Sequence, residues 1–398
     1  MAEPTRSLRT LPTGIWALGL GSLLMDTSSE LVHSLLPVFM SSVLGAGMVA
    51  IGLVEGIAEG TAAVTRVFSG ALSDQLRRRK PLVVLGYALG AASKPFFPLA
   101  TSMSQVLAAR FADRIGKGIR GAPRDALVAD IAPPALRGAA YGLRQALDSA
   151  GAVLGPLLAL VFMARLSNDI AAVLWIAVVP ALLSVTVLGL AVREPARAHV
   201  ERREPRFSLA GLRRLEPRFW WIVVIGALFT LARFSEAFLV LRAQSTGLAI
   251  GYVPVVMIAM NAFFTAGAYP AGAASDAMSA RMLLATGLAL LVLADLVLAA
   301  ADAPWHVLVG ASLWGLHMAL TQGLLSKLVA DAAPAALRGT AFGIFHLVSG
   351  VALVLASLLA GALWEELGPP ATFLAGALFA ALSALGMVAF ARRSASTP

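Results

Sequence analysis

Ala129-Asp130-Ile131-Ala132-Pro133-Pro134-Ala135-Leu136-Arg137-Gly138 returns 201 residues later as Ala330-Asp331-Ala332-Ala333-Pro334-Ala335-Ala336-Leu337-Arg338-Gly339. The match runs on through Tyr141-Gly142 against Phe342-Gly343. Gly70-Ala71-Leu72-Ser73-Asp74 is likewise answered by Gly272-Ala273-Ala274-Ser275-Asp276, at an offset of 202. Chance likeness of apolar helices would not keep Asp, Pro, Arg and Gly in register. Two repeats of the same orientation predict two equivalent helical bundles related by an axis along the membrane normal.

Outward from the repeat, apolar segments fall at 14–40, 47–72, 81–101, 104–130, 138–163, 170–192, 219–242, 248–274, 282–301, 305–330, 338–363 and 369–391. Of the 398 residues 59% are hydrophobic and 13% charged. A soluble chain of this length keeps far more of itself polar. Twelve membrane helices of about 20 residues account for the excess. A soluble enzyme, a fibrous protein and a disordered chain are excluded. The expected fold is an all-α integral membrane protein, with twelve transmembrane helices in two six-helix bundles related by pseudo-two-fold symmetry. The first bundle takes 1–192 and the second 219–398. Between them, 193–218 reads as a cytoplasmic linker, because it mixes eight arginines with Glu194, Glu201, Glu204 and Glu216.

The net charge of +9 would point to nucleic acid in a soluble chain. Here the Lys and Arg gather in loops of one side: Arg6, Arg9, the run Arg77-Arg78-Arg79-Lys80, Arg137, the linker, Arg281, Arg338, Arg392 and Arg393. The other side holds little beyond Arg165 and Arg242. By the positive-inside rule both termini and the linker face the cytoplasm of a prokaryotic inner membrane. Arg6 and Arg9 precede an apolar run as in a signal peptide, but Asp26 and Glu30 interrupt that run, so it reads as an uncleaved first span. Cysteine is absent, which removes disulfides, thiolate metal sites and cysteine nucleophiles.

Ionisable groups at membrane depth are costly and point to function. Span 1 carries Asp26, Glu30 and His33, whose spacings of four and three share one helical face. Two carboxylates in a low-dielectric cavity repel each other and lose solvation, and both effects favour a bound proton. Span 4 carries Arg110, Arg114, Lys117, Arg120 and Arg124 as one basic stripe, which must face a cavity or other helices. Deep charges elsewhere in the first half, among them Glu55, Glu59, Arg66, Lys94, Arg144 and Asp148, balance in sign, so a buried salt-bridge network competes with a functional role for each. The second half is sparser: Arg233, Glu236, Asp295, His317, Lys327 and His346. It offers aromatic surface instead, with Phe234 and Trp314 among the candidates to meet a substrate.

These residues resemble the major facilitator superfamily, over the whole chain. Gly70 to Lys80 is similar to that family's loop between spans 2 and 3, with Arg77 where the family usually has Gly. Gly151-Ala-Val-Leu-Gly155-Pro156 resembles the GxxxGP motif of proton-coupled drug exporters, without its trailing glycine pair. Leu35-Leu36-Pro37-Val38 resembles the proline-containing end of span 1 in exporters. Arg114-Ile-Gly-Lys-Gly118-Ile-Arg-Gly121 resembles a span 4 motif, RxxxGxxG, whose arginine the family implicates in proton coupling.

The expected activity is secondary transport by alternating access: proton-coupled export of a small molecule such as a drug or metabolite. Asp26, Glu30 and Arg114 would couple protons. Arg110, Lys117, Arg144, Phe234, Glu236 and Trp314 would bind substrate. Asp74, Arg78, Gly151, Gly155 and Pro156 would serve gating, through charged helix ends and close helix packing. The competing readings are an organic-anion, metabolite or metal-ion carrier on the same fold, and a non-transporting sensor or scaffold. No ATP loop, hydrolase elbow or zinc-protease motif is present, so no enzyme is expected. Neither cofactor nor resident metal is expected, and the partners are protons, the substrate and the bilayer, with the protein a monomer.

Overall fold

The computed structural model describes residues 11–75, 78–194, 217–321, 324–333 and 338–395, and all regular structure among them is helical. In chain order the α-helices are α1 Thr13–Val38, α2 Met48–Gln75, α3 Lys80–Ser93, α4 Met103–Ile131, α5 Arg137–Arg165, α6 Ile170–Ile176, α7 Val178–Ala191, α8 Pro217–Ala232, α9 Ala237–Ser245, α10 Val255–Ala277, α11 Ala280–Ala299, α12 Pro304–Thr321, α13 Leu324–Ala332, α14 Arg338–Leu367 and α15 Pro369–Ala395. Taking α6 with α7, α8 with α9 and α12 with α13 gives the twelve helices expected.

Breaks in these rods follow from proline and glycine. Pro37 has no N–H to give and crowds the preceding turn, and α1 loosens into a π-helical turn at Phe39–Val43. Pro95 has the same effect on α3, which tightens to a 3-10 turn over Lys94–Phe96. Gly368, at φ +85°, turns the chain between α14 and α15, and Pro369 then starts α15 in its preferred place.

Among the described residues eight helical stretches are long and apolar enough to cross a membrane by length and composition, including Arg137–Arg165, Ile170–Ala191 and Ala341–Leu367. α1 and α4 are long enough, at 26 and 29 residues, yet are not among the eight. α1 carries Asp26 and Glu30, and α4 carries Arg110, Asp113, Arg114, Lys117 and Arg120, which lower their hydropathy.

The chain forms two compact units: 1–35 with 61–204, and 36–60 with 205–398. The halves expected at 1–192 and 219–398 differ from these units in where 36–60 falls. Most of the 193–218 linker lies outside the described residues.

In the first unit, α3 and α4 touch backbone to backbone. A Cβ on Gly86 would stand 2.7 Å from the Gly116 carbonyl oxygen, and one on Gly116 would stand 2.6 Å from that of Gly86. α5 meets α1 in the same way. A Cβ on Gly151 or Gly155 would stand 2.6 Å from the carbonyl oxygens of Leu23 or Thr27 respectively. Ser184 and Ser28 donate to the carbonyls of Gly21 (2.6 Å) and Ala177 (2.7 Å), tying α1 to the α6–α7 rod. Ile15, Leu18, Met25, Val83, Tyr87 and Leu127 lie at the centre of the apolar core.

In the second unit, Gly52, Gly56 and Gly60 of α2 lie against Ser357, Val354 and Gly350 of α14. Glu365 of α14 accepts from the Val49 N–H at the start of α2, at 2.9 Å. α10 and α12 close on each other at Gly315, where a Cβ would run into the Met260 carbonyl.

Candidate functional site

In the first unit four helices, α1, α3, α4 and α5, turn polar side chains toward one another. The deepest contact is between Lys94, at the 3-10 end of α3, and Asp113 of α4. Their Nζ–Oδ1 distance is 2.8 Å and both side chains are almost fully buried. Lys94 also donates to Ser29 of α1, at 3.1 Å. The second Asp113 oxygen lies 3.5 Å from Arg114 Nε, and Arg110 acts on the same carboxylate. A buried charge left without its partner costs several kcal/mol, so these groups hold one another in place.

Nearly two turns further along α4, the Arg120 guanidinium sits over the Tyr87 ring, 4.7 Å from its centroid. A guanidinium over a phenol ring is held by the ring's quadrupole. Arg120 Nη2 reaches Asp26 Oδ1 at only 4.0 Å, and its Nη1 makes no hydrogen bond. Beyond it, Arg124 donates to Ser22 Oγ (3.0 Å) and to Tyr87 Oη (3.3 Å), and it approaches Asp148 Oδ2 at 3.6 Å. Arg144 forms an ion pair with Asp148 one turn away on α5, and lies 3.7 Å from Asp125 Oδ1. Asp125 also takes Arg66, at 3.3 Å.

Asp26 and Glu30 stand apart from this tight network. Asp26 is 26% exposed and Glu30 20%, against 3% or less for Lys94, Asp113 and Arg114. They lie about 6 Å apart along α1. Glu30 contacts His33 at 3.5 Å, with Lys117 and Arg114 close enough to act on its charge. Asp26 feels Asp148, Arg120, Arg124 and Lys117. The site therefore combines a locked interior of ion pairs with two partly exposed carboxylates, Asp26 and Glu30.

Of the residues expected to bind substrate, Arg110 and Arg144 are buried within this network, and Lys117 is exposed. Phe234 and Trp314 belong to the second unit. There Phe234 packs against Trp314, Phe373 and Phe238 at centroid distances of 5.4, 5.6 and 5.7 Å. Glu236, at the start of α9, acts on Arg233. Of the gating candidates, Gly151, Gly155 and Pro156 are buried, the two glycines facing α1 beside Asp26 and Glu30. Arg78 is exposed, and the side chain of Asp74 lies outside the described residues. The neighbouring Arg79 pairs with Asp130 of α4 at 3.2 Å, and Lys80 donates to the Gly189 carbonyl at 2.7 Å. Among the described residues no three His, Asp or Glu side chains gather as a metal site.

Sequence reasoning named Arg120 only as part of a stripe and did not single out Tyr87. Tyr87 carried a signal, since it directly follows Gly86, with Gly90 one turn on, in a span that otherwise packs closely. The spacing of Gly52, Gly56 and Gly60 was a second signal left unused.

Helices of membrane-spanning length, with a buried ion network and accessible carboxylates, define a membrane transporter rather than an enzyme. Residues 18–264 and 237–398 match the Major Facilitator Superfamily, and the chain belongs to that family as a multi-pass membrane protein. It is 33% identical over 383 residues to an uncharacterized MFS-type transporter of Methanocaldococcus jannaschii, covering 95% of this chain and 94% of that one. It is 32% identical over 158 residues to the multidrug resistance protein MdtH of Aeromonas hydrophila, covering 40% and 38%. A solved POT family transporter, in complex with a thioalcohol-conjugated peptide, shares the fold at TM-score 0.80 and 12% identity, over 98% of each chain.

Proposed function

We propose that this family member is a proton-coupled exporter of a small molecule. It works as a monomer in a prokaryotic inner membrane, with both termini cytoplasmic, by alternating access of the halves 1–192 and 219–398. The observation that carries the reading is the loose contact of Asp26 with Arg120, at 4.0 Å, beside a second accessible carboxylate, Glu30. When Asp26 is ionised, Arg120 attracts it and draws α1 to α4. A proton on Asp26 removes that attraction, while Arg120 keeps its seat on Tyr87 and the buried pairs behind it stay intact. The α1–α4 contact is then a two-state element that protonation biases. Gly151 and Gly155 pack α5 at the same level of α1, so a shift of α1 is passed to α5.

Each charge moved through 100 mV gains about 2.3 kcal/mol, enough to bias such a two-state element strongly. Export is supported by the likeness to a multidrug resistance protein over 40% of the chain and by the Gly151 to Pro156 stretch. An organic anion would need free cations, yet Arg114 and Arg144 are engaged by carboxylates, which leaves Lys117 as the exposed base in this region. The test is collapse of a pH gradient in everted membrane vesicles, with a panel of lipophilic cations, organic anions and divalent metals. The reading predicts collapse by lipophilic or cationic compounds through the wild type and not through the Asp26→Asn/Glu30→Gln variant. Collapse by organic anions alone, or silence across the panel, counts against it.

A further inference from the structure

In the second unit one carboxylate stands without any of the support seen in the first. Asp295, near the C-terminal end of α11, is 0% exposed, and among the described residues neither of its carboxyl oxygens has a hydrogen-bond partner. Its surroundings are apolar. Oδ2 lies 2.6 Å from the point a Cβ on Gly376 of α15 would occupy, and the Phe234 ring approaches that point at 2.9 Å. The bare glycine is what leaves room for the carboxyl group between α11 and α15.

Among the described residues no charged side chain lies close enough to act on Asp295. On α12, His317 turns its Nδ1 to the Gly287 carbonyl at 2.7 Å, eight residues and about 12 Å along α11 from Asp295. On α9, Arg242 gives its guanidinium to the carbonyls of Leu298, Ala299 and Ala301, at 2.9, 3.2 and 2.7 Å. The side chains of Asp276 on α10 and of Lys327 and Asp331 on α13 lie outside the described residues. A bare carboxylate walled by Phe234 and helix backbone is far costlier than a neutral acid, and a group in that position neutralises instead.

We infer that Asp295 carries a proton in this packed state and is a second proton-binding site, in the half of the molecule that lacks the Asp26 and Glu30 machinery. The proton is held while α11 and α15 are closed over it at Gly376. It leaves only when those helices part and water or a base reaches the carboxyl group. The ligand of this site is the proton itself; no covalent step is involved.

Infrared spectroscopy of the full-length protein in liposomes at neutral pH reads the carbonyl stretch of a protonated carboxyl group directly. The expected result is a protonated-carboxyl band in the wild type that is missing from Asp295→Asn and still present in the Asp26→Asn/Glu30→Gln variant. Identical carboxyl bands in the wild type and Asp295→Asn would overturn the inference. Thermal melting supplies the second readout, with Asp295→Asn and Asp295→Leu compared. Replacing a neutral buried acid by its amide should leave the melting temperature nearly unchanged. A large drop in both Asp295→Asn and Asp295→Leu would mean an ionised and partnered carboxylate and would also overturn it. Because the infrared result does not depend on transport, this inference and the proposed coupling role of Asp26 and Glu30 fail separately.

Discussion

The interiors of the two units solve opposite problems. In the first, charge is met by charge: Lys94 with Asp113, Arg144 with Asp148, Arg124 with Asp148 and two hydroxyls. In the second, Phe234, Phe238, Trp314, Trp364 and Phe373 form a buried aromatic cluster, and Asp295 sits beside it unpaired. A charged network inside a membrane protein is retained at a cost, whereas an aromatic cluster is stabilised by close packing and ring–ring contacts. The contrast indicates that the first unit keeps its charges for a task, and that the second supplies aromatic packing beside a buried carboxyl group, Asp295, that no described charge supports.

Removing one member of the tightest pair is the strongest way to test that contrast. Asp113→Leu leaves Lys94 buried without its carboxylate and should destabilise the protein by about 3–5 kcal/mol. The double change Lys94→Met/Asp113→Leu should recover most of the loss, because paired apolar replacements are close to neutral. Denaturant or thermal unfolding in detergent measures both. If the single variant melts like the wild type, the locked interior does not exist.

Helix packing comes next. Gly116→Val drives side-chain atoms into the Gly86 carbonyl and should cost about 1–3 kcal/mol by overpacking. It should also move Arg120 relative to Tyr87 and lower transport beyond what the stability loss explains. Normal transport together with a lowered melting temperature would separate packing from function.

The smallest effect is expected in the second unit. Trp314→Phe removes an indole N–H that has no hydrogen-bond partner and keeps most of the aromatic contact with Phe234. The loss should be about 1–2 kcal/mol, the cost of the small cavity left in a buried site, with no hydrogen bond broken. A larger loss would reveal a polar partner for Trp314 and narrow the contrast between the units.

Much of the fold was legible in the sequence because apolar length, the 201-residue repeat and the glycine and proline punctuation are local signals. Most of the twelve segments agree with the observed helices to within a few residues; 81–101 runs past the end of α3 at Ser93, where Pro95 breaks it, and 248–274 starts seven residues before α10. α1 and α4 stood out in the sequence by their charges. What the sequence could not supply was which span 4 base faces which partner. Arg114 and Arg120 are six residues apart, about 240° around a helix, so a stripe drawn through both does not say which one meets α1. Docking of Gly116 on Gly86 decides it, and puts Arg120 beside Asp26 while Arg114 contacts Asp113. The contact of Asp26 with Arg120 spans 94 residues, and those of Ser22 with Tyr87 and Ser29 with Lys94 span 65 each; they depend on those backbone contacts and leave no trace in spacing.

The central claim is that Asp26 and Glu30 couple protons without being needed for the fold or for substrate exchange. The direct measurement uses liposomes holding the Asp26→Asn/Glu30→Gln variant, with a substrate found by the gradient-collapse panel. Uphill accumulation driven by a pH gradient is compared with exchange at equal pH. The account predicts exchange near the wild-type rate and no uphill accumulation, the substrate ratio across the membrane settling at its equilibrium value. Uphill accumulation at the wild-type level in that variant would contradict it.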